Sequence, residues 1–528
     1  MNKTVVESLQ EAANLVPNTV FLYEGNQNFT FQDMDQLSDT LASSLYSLGL
    51  KQGDHIAINA LNQSEWLLAF FAAAKLGITV VTLNVRYRDN EIEYMVNNAD
   101  VKAIISVDAL GDFNYVSFYQ RLEDRLPSVE HYIFIGDNSR FTGSYSFQQL
   151  MERKKELMIA TPTITPEEVL LMIYTSGTTG KPKGTMITHK SILASAKAQV
   201  DHFQVTDNDL AIGALPFNHV GGITCTVMVA LVSRSKVALV PSFHPKQVLN
   251  TIEQYQATIL GGVPTMYYML IGQEEVSSYD VSSLRLCIVG GSNVEPGLAD
   301  DMVRVFPTAH LVNLYGLSET SGACILSNFE DSVERIGESI GVIIGDFEAR
   351  VEKDNHFDDS PGEVGELMIR GDCVAKGYYN MEDATQDTFT EDGWLCTGDM
   401  VSIEEGGYVY FKGRKKEMYV TGGFNVFPVE IENVLTKHPK VALAAGIGVP
   451  DKWMGEIGRY YIVPASKAKP TAEELTDYCL QHVSDYKVPK EFIFVEEVPM
   501  TPAGKIQKAK LKEAVVKGEW SSNGEKRV

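Results

Sequence analysis

Apolar segments of strand length alternate with amphipathic segments of helix length through most of this chain. Near its start the pattern predicts a helix at 31–48 capped by Thr30, strands at 55–60, 78–85 and 101–107, and helices at 65–76 and 91–98. Strands that alternate with helices in this way form parallel βαβ units with helices on both faces of the sheet. The sequence therefore predicts an α/β fold with a large N-terminal domain of parallel-sheet βαβ units.

The pattern changes beyond about residue 340. The segments 362–371 and 408–412 have the alternation and turns of β-structure, which predicts a β-rich subdomain. A charged, glycine-led stretch at 413–417 suits a linker, and 428–516 mixes helices and strands again. We expect this last part to be a separate small α+β domain, and a polar interval at 137–166 to be a connector.

Several predicted strands run directly into glycine-rich turns. The strand at 258–260 ends at Gly261-Gly262, the strand at 286–289 ends at Gly290-Gly291, and the strand at 211–215 leads into Pro216-FNHVGG. Ligand sites of parallel α/β sheets lie beyond the carboxyl ends of the strands. The turns are therefore predicted to converge on one pocket.

One further turn has the composition of a phosphate site. The apolar strand predicted at 169–173 is followed by TSGTTGKPKG, from Thr175 to Gly184. Glycines let the backbone bring its N–H groups close to an anion, while hydroxyls and lysines add donors and positive charge. The Walker pattern needs four residues between its glycines and then Lys-Ser/Thr, which this stretch lacks. A polyphosphate loop of another type is the interpretation we favour over a flexible surface loop.

Composition excludes several other classes of protein. The formal charge is 45 − 69 = −24, which argues against a nucleic-acid binder that relies on bulk electrostatics. The six cysteines and ten histidines are scattered without metal-binding or disulfide spacing. The most hydrophobic window, 66–85, is explained by a buried helix ending at Gly77 and then a strand. With no apolar core of signal-peptide length near the N-terminus, we expect a cytoplasmic protein without an integral membrane segment.

Seven segments in order resemble the adenylate-forming enzymes, a family that includes acyl- and aryl-CoA ligases, luciferases and peptide-synthetase adenylation domains. The resemblance runs nearly end to end. The segments are Tyr174-TSGTTGKPKG, Pro216-FNHVGG, Asn313-LYGLSET, Gly365-ELMIRG, Trp394-LCTGD, Gly413-RKKEM with Gly423-FNVFPVEIE, and Pro502-AGKI.

The resemblance implies a reaction in which a carboxylate attacks the α-phosphorus of ATP and a thiol then displaces AMP. The first step brings two anions together, so the site must neutralise charge and hold the attack in line. Glu319 would hold Mg²⁺, Ser318 would bind the α-phosphate, and Lys505 would stabilise the transition state. The residues assigned to ATP are Thr175, Ser176, Gly177, Thr178, Thr179, Gly180 and Lys183 at the β- and γ-phosphates, Asn313 and Tyr315 with the adjoining Gly316 at the adenine, and Asp399 and Arg414 at the ribose.

The family's small C-terminal domain swings between the two half-reactions. The resemblance therefore places an N-terminal domain at 1–413, a hinge at 414–416 and a mobile C-terminal domain at 417–528. The implied cofactors are ATP, Mg²⁺ and CoA. A homodimer is compatible with the resemblance, and a carrier protein is an alternative thiol partner.

Three residues are assigned to the thiol step. Lys416 falls on the hinge position, and Gly423 falls on the glycine that lines the thiol tunnel after the swing. His219 matches a gate between the carboxylate pocket and the CoA tunnel, although an ordinary loop histidine is equally expected from the sequence.

The residues expected around the acid are small, apolar or sulfur-bearing, without an arginine or lysine to pair a second carboxylate. They are Val220, Gly221, Cys225, Gly262, Gly290, Gly291 and Ser292. A monocarboxylic acid is therefore expected. Val420 and Asn425 stand where plant aryl-CoA ligases carry Lys and Gln, which favours a medium- or long-chain fatty acid.

Three alternatives stay open from the sequence. They are an aryl-CoA ligase for benzoate- or cinnamate-type acids, an adenylating enzyme that loads a carrier protein, and a nucleotide-binding module with a degenerate site. The presence of Glu319, Asp399, Arg414 and Lys505 together argues against degeneracy.

Overall fold

The structure is a computed structural model that describes residues 3–136, 141–152, 162–175, 181–291, 294, 296–354, 356–358, 360–465, 469–500 and 506–516. The chain forms two compact units. The first comprises Met1–Ala349 and Ile369–Cys396, and the second comprises Arg350–Met368 and Thr397–Val528. The α/β class predicted from the sequence is confirmed, whereas the predicted hinge at 414–416 stays a prediction.

The first unit contains a seven-stranded sheet. In spatial order its strands are β11 (Lys183–Thr188), β10 (Val169–Thr175), β4 (Thr79–Thr82), β3 (His55–Asn59), β5 (Val101–Val107), β8 (His131–Ile135) and β9 (Tyr145–Ser146). All neighbouring pairs are parallel except β10 with β11. The predicted βαβ units are therefore confirmed. The pair β6 (Ala109–Leu110) and β7 (Phe113–Asn114) forms a separate small ribbon.

A nine-stranded sheet completes the β-structure described for residues 3–343. Its spatial order is β18 (Val342–Ile343), β17 (Gly322–Leu326), β16 (His310–Leu317), β15 (Leu286–Gly290), β14 (Ile259–Gly262), β12 (Leu210–Gly213), β13 (Lys236–Leu239), β1 (Val20–Glu24) and β2 (Gln27–Thr30). The inner strands β16, β15, β14 and β12 are parallel neighbours, so their carboxyl ends lie at one edge.

The helices predicted at 31–48, 65–76 and 91–98 are confirmed, and the first unit contains further helices. In chain order the helices are α1 (Val5–Leu15), α2 (Phe31–Ser47), α3 (Ser64–Leu76), α4 (Asp89–Asn98), α5 (Tyr115–Leu122), α6 (Phe147–Glu152), α7 (His189–His202), α8 (Val220–Gly222), α9 (Val229–Ser233), α10 (Pro245–Tyr255), α11 (Pro264–Ile271), α12 (Pro296–Val305), α13 (Val333–Glu338) and α14 (Glu382–Thr388). The three predicted helices are α2, α3 and α4. Helix α2 begins with the predicted capping box, since Thr30 Oγ1 accepts from the Asp33 N–H at 3.0 Å and Asp33 Oδ2 accepts from the Thr30 N–H at 2.9 Å.

The hydrophobic window 66–85 folds as predicted, with α3 ending at Gly77 before β4. Within the described part of the chain, no helix is long and apolar enough to cross a membrane. The predicted connector at 137–166 is wrong for 145–152, because β9 pairs with β8 and the side chains of Phe147 and Leu150 on α6 are buried.

Five strands between residues 348 and 414 form a further sheet. Its order is β20 (His356–Phe357), β19 (Glu348–Lys353), β21 (Val364–Arg370), β22 (Trp394–Ile403) and β23 (Val409–Arg414). The linker predicted at 413–417 is wrong at its start, because Gly413 and Arg414 end β23 and pair with Met400 and Asp399 of β22.

The C-terminal part of the second unit is α+β. One sheet contains, in order, β25 (Phe424–Val426), β24 (Tyr419–Thr421), β27 (Gly455–Pro464) and β26 (Val441–Asp451), with β28 (Glu491–Phe494) also paired to β27. The helices are α15 (Pro428–Leu435), α16 (Ala472–His482) and α17 (Lys508–Val516). Buried aromatic and aliphatic side chains from both kinds of element form its core, including Tyr460, Leu435 and Leu475.

Candidate active site

The glycine-rich stretch connects two antiparallel strands. Thr175 at the end of β10 lies directly opposite Lys183 at the start of β11. A Walker loop instead leads from a strand into a helix. The stretch at 175–184 therefore differs from a Walker loop in the structure that follows it as well as in the spacing of its glycines. The predicted phosphate residues Ser176, Gly177, Thr178, Thr179 and Gly180 lie outside the described residues.

A second hairpin presents Ser318 and Glu319. The turn between β16 and β17 is held by Thr320, whose Oγ1 accepts from the Leu317 N–H at 2.9 Å and donates to the Gly322 carbonyl at 2.7 Å. Ser321 in the same turn has a left-handed backbone with φ of 55°. Strained backbone of this kind clusters at functional sites. Ser318 is buried and Glu319 is half-buried at this turn.

Tyr378 connects the two hairpins. Its O–H donates to Glu319 Oε1 at 2.7 Å, and Lys183 Nζ lies 4.5 Å from the centre of its ring. Burial, together with the adjacent charge of Glu319, raises the pKa of Tyr378, so the phenol keeps the proton that it donates. A carboxylate and an ammonium predicted to act on one polyphosphate are thus brought together.

The residues at Glu319 fit a magnesium ion. Mg²⁺ is bound through one or two carboxylates, substrate phosphates and waters, without an all-protein cage. Glu319 supplies one such carboxylate. No group of three or more His, Cys, Asp or Glu side chains suited to a metal occurs among the residues that the structure describes. A metal at this carboxylate would therefore complete its shell with phosphate and water oxygens.

Asn313 and Tyr315 lie on β16, upstream of the same turn. Asn313 is buried, and its side-chain amide donates to the Ser339 carbonyl at 3.2 Å while its backbone N–H donates to Ser327 Oγ at 2.7 Å. Part of its role is therefore to anchor the strand to the segment that follows α13. The predicted adenine contacts of Asn313, Tyr315 and Gly316 stay predictions.

The predicted acyl-pocket glycines lie at the shared carboxyl edge of the parallel strands. Gly262 ends β14, Gly290 ends β15, and Gly291 follows it. Gly290 is also opposite Leu314 of β16, the strand that leads to Ser318 and Glu319. These glycines therefore lie at one edge of the sheet, and their convergence on one pocket stays a prediction. Ser292 falls outside the described residues.

His219 is exposed and begins a short helix. Its Nδ1 accepts from the Gly221 N–H at 3.1 Å, which caps α8 and orients the ring. The loop before it is held by the buried Asn62, which donates to the Leu215 carbonyl at 2.8 Å and accepts from the Phe217 N–H at 3.0 Å. The gating role of His219 stays a prediction.

A π-helix follows α8, over Ile223–Met228. π-Helical turns are rare and frequently occur at functional sites. Cys225 in this turn lines a narrow gap between α7 and the sheet, and none of the side chains around the gap is charged. Burial raises the pKa of Cys225 to about 11, so the thiol stays neutral and packs as an apolar group. Val220 is buried one turn earlier.

In the second unit, Asp399 and Arg414 form a cross-strand pair. Arg414 Nε lies 2.6 Å from Asp399 Oδ1. The adjoining turn is supported by Glu366, which accepts from the Gly398 N–H at 2.9 Å and contacts Lys415 Nζ at 2.6 Å. The two residues assigned to the ribose are thus brought together by strand pairing.

The remaining predicted residues of this unit lie on turns. Lys416 is exposed after β23, and Gly423 is exposed at the tip of the β24–β25 hairpin. Gly422 and Gly423 have φ of 57° and 87°, a geometry that suits glycine at both positions of a two-residue hairpin turn. Lys505 lies outside the described residues, whereas Met500 and Ile506 on either side of 501–505 form an antiparallel bridge.

Comparison with known proteins identifies the family. The AMP-binding enzyme model matches residues 9–379, and the AMP-binding enzyme C-terminal domain model matches 430–505. The chain belongs to the AMP-binding enzyme family.

Relatives of this AMP-binding enzyme match it over nearly its full length. It is 32% identical to the putative acyl-CoA synthetase YngI of Bacillus subtilis, with 98% of each chain covered. It is 30% identical to a long-chain-fatty-acid–CoA ligase of the same organism, with 97% of this chain and 94% of the relative covered. A crystal structure of the anthranilate CoA ligase AuaEII in complex with anthranoyl-AMP superposes with a TM-score of 0.86 at 26% identity, covering 97% of both chains.

These findings confirm the sequence-based assignment to the adenylate-forming acyl-CoA synthetases. The chain is an AMP-forming acid–CoA ligase by class, and its relatives act on several kinds of acid. The family resemblance already gave the motif residues. The roles assigned to individual residues stay predictions.

Sequence reasoning missed four supporting residues of this AMP-binding enzyme. Asn62 holds the loop before His219 and Tyr378 holds the Glu319 carboxylate. Glu366 supports the turn before Asp399. In the second unit, Lys508 Nζ contacts Glu417 at 2.7 Å and Glu432 at 2.8 Å. Tyr378 and Glu366 carried a usable signal, because both lie in or just after a segment that resembles the family.

Proposed function

We propose that this chain is an ATP-dependent acyl-CoA ligase for a monocarboxylic, medium- or long-chain fatty acid. The observation that carries the proposal is the placement of Glu319 and Lys183 on either side of Tyr378. Adenylation brings a carboxylate to a polyanion, and charge neutralisation at fixed positions is what that step requires.

The first half-reaction is assigned to residues of the family's motif segments. Thr175, Lys183 and the loop at 176–180 hold the β- and γ-phosphates, and Ser318 binds the α-phosphate. Glu319 holds Mg²⁺, which supplies positive charge to the phosphates when bound. Asp399 and Arg414 hold the ribose, while Asn313, Tyr315 and Gly316 contribute to the adenine site.

Lys505 stabilises the charge that develops as the substrate carboxylate attacks the α-phosphorus. The bond from phosphorus to the bridging oxygen breaks, pyrophosphate leaves, and the acyl-adenylate remains. In the second half-reaction the thiol of CoA attacks the acyl carbon and displaces AMP. Lys416, Gly423 and His219 are assigned to this step as hinge, tunnel wall and gate.

The acid is inferred from the side chains around the π-helix. Those that line the narrow gap beside Cys225 are uncharged, so they offer no partner for a second carboxylate or an α-amino group, and the gap must widen to admit an acyl chain. A Cβ at Gly262, Gly290 or Gly291 would lie 3.1, 3.2 or 3.3 Å from a neighbouring side chain, so a larger residue there would crowd the carboxyl edge where the acid is predicted to bind. Similarity to a fatty-acid–CoA ligase supports an aliphatic acid. Similarity to the anthranilate CoA ligase supports an aromatic acid as the second candidate.

The proposal is tested by pyrophosphate release with a panel of carboxylic acids, supplied with ATP and Mg²⁺. We expect release with fatty acids of medium or long chain, and a thioester detected by mass spectrometry when CoA is added. Benzoate- and cinnamate-type acids test the aromatic candidate, and a phosphopantetheinylated carrier protein in place of CoA tests carrier loading. If no acid in the panel gives acid-dependent AMP, the ligase assignment is wrong.

A further inference from the structure

One short segment holds both hairpins of the phosphate region. This bridging segment, residues 375–379, pairs with β11 through hydrogen bonds at 2.9 Å from the Lys376 N–H to the Met186 carbonyl, from the Met186 N–H to the Gly377 carbonyl, and from the Tyr379 N–H to the Gly184 carbonyl. At its other end the Ala375 N–H donates to the Glu319 carbonyl at 2.8 Å. The bridging segment therefore fixes the backbone of Glu319 relative to the strand that begins at Lys183.

Tyr378 repeats the same connection with its side chain. Its hydroxyl holds the Glu319 carboxylate, and its ring lies beneath Lys183 Nζ. A hydrogen bond to an ionised carboxylate is stronger than a neutral one, and a ring face attracts an ammonium ion. One buried side chain thus contacts both groups assigned to the ATP polyphosphate.

The surroundings of Tyr378 restrict where it can point. Its ring packs edge-on against Phe389 with centroids 5.5 Å apart, and its backbone N–H donates to Thr385 Oγ1 at 3.0 Å. The preceding Gly377 has φ of 131°, and a Cβ there would lie 2.6 Å from Thr385 Cγ2. Only glycine fits this turn, and the turn directs Tyr378 at Glu319.

We propose that Tyr378 is a positioning residue that couples the magnesium ligand Glu319 to the phosphate-binding Lys183. The inference rests on the proposed function, since it takes the metal and phosphate roles of those two residues from it. The hydroxyl restricts the carboxylate to one orientation, and the ring restricts the ammonium group. Tyr378 lowers the conformational entropy that Glu319 and Lys183 lose when the nucleotide binds.

The two parts of the tyrosine side chain are separable by substitution. Tyr378→Phe removes only the hydroxyl, so we expect ATP affinity without metal to stay within twofold of wild type. The gain in ATP affinity on adding Mg²⁺ should fall by about tenfold, the effect of losing one hydrogen bond to a charged group. Tyr378→Leu also removes the ring, and metal-free ATP affinity should fall about threefold because the cation–π contact is lost.

Calorimetric titration of the full chain with ATP, in the absence of acid and with either EDTA or MgCl₂, measures the metal-free ATP affinity and the gain in affinity from Mg²⁺. Tyr379→Phe is the matched control, because Tyr379 is the next residue and its hydroxyl faces Asp100 at 3.4 Å. Tyr379→Phe should change neither the metal-free ATP affinity nor the gain in affinity from Mg²⁺. In a Glu319→Gln background, Tyr378→Phe should cause no further loss of the magnesium effect, since the carboxylate it positions is absent.

Two results would overturn the inference. One is a magnesium effect in Tyr378→Phe equal to that of wild type. The other is an equal loss of ATP affinity with and without magnesium, accompanied by a lower melting temperature, which marks a merely structural role. If wild-type protein makes AMP from an acid and either result is found, the proposed function stands and the positioning role fails. If wild-type protein binds no ATP, the proposed function fails first.

Discussion

Asp399 and Arg414 face each other across β22 and β23, with the guanidinium Nε 2.6 Å from the carboxylate. The Asp399 side chain is 1% exposed, whereas that of Arg414 is 43% exposed. The carboxylate therefore depends on the arginine for compensation of its charge, while the arginine also contacts water. Because of this difference in exposure, replacing Arg414 and replacing Asp399 should destabilise the protein to different extents.

Arg414→Ala should destabilise the second unit by about 2 kcal/mol, because it removes the cation that faces a buried carboxylate. Asp399→Asn should cost less stability, since the exposed guanidinium is solvated. Both should weaken AMP binding if this pair holds the ribose. Scanning calorimetry and AMP titration measure the two effects. Equal destabilisation by both substitutions would contradict this expectation.

Lys505→Ala should lower the rate of adenylation by about a hundredfold or more, because a fixed cation is lost from the transition state. Reaction of a synthetic acyl-adenylate with CoA should be retained, since phosphorus is no longer attacked in that step. Lys510→Ala, at an exposed position of α17, is the matched control and should affect neither. Equal loss of both half-reactions would show that the role assigned to Lys505 is wrong.

His189 makes folding stability depend on pH. Burial lowers the pKa of His189 to about 4, and its Nδ1 accepts from the Val5 N–H at 3.2 Å. Glu168 and Glu7 act in the opposite direction with a smaller effect. Because the folded pKa lies below the unfolded one, the unfolded chain binds a proton first as the pH falls. The stability contribution is complete above pH 6.5 or so and is lost as the pH falls towards 4.

Wild-type protein should therefore lose about 2 kcal/mol more than His189→Gln between pH 8 and pH 5. Denaturant unfolding at the two pH values gives this difference. His482→Gln, at an exposed position of α16, should follow the wild-type dependence. An identical pH dependence for wild type and His189→Gln would exclude the effect.

The side chains that line the narrow gap beneath the π-helix should control acid length, because an acyl chain must displace them to enter it. Ala230 and Phe203 both line it. Ala230→Leu should lower kcat/KM about tenfold for the longest acids accepted while sparing shorter ones, because two or three methylene groups are displaced. Phe203→Ala should shift the preference towards longer acids. Rates with a homologous series of fatty acids measure both, and a uniform loss at all lengths would place the acyl chain elsewhere.

Local features of the chain were predictable because their causes are local. The capping box of Thr30 and Asp33 uses residues three apart, and the apolar run that becomes β10 is contiguous. The order of strands and helices follows from such patterns. The motif residues Glu319 and Asp399 were found in the same way, by resemblance of short segments.

The α/β class, the family and the motif residues of this protein were predictable from its sequence. How those residues are supported emerges from the folded chain, in which the glycine loop joins antiparallel strands, Tyr378 reaches Glu319 across 59 residues, and Asn62 holds Leu215 across 153. Hydrogen bonds between distant residues leave no periodicity in the sequence, because each depends on where two separate elements come to lie after packing.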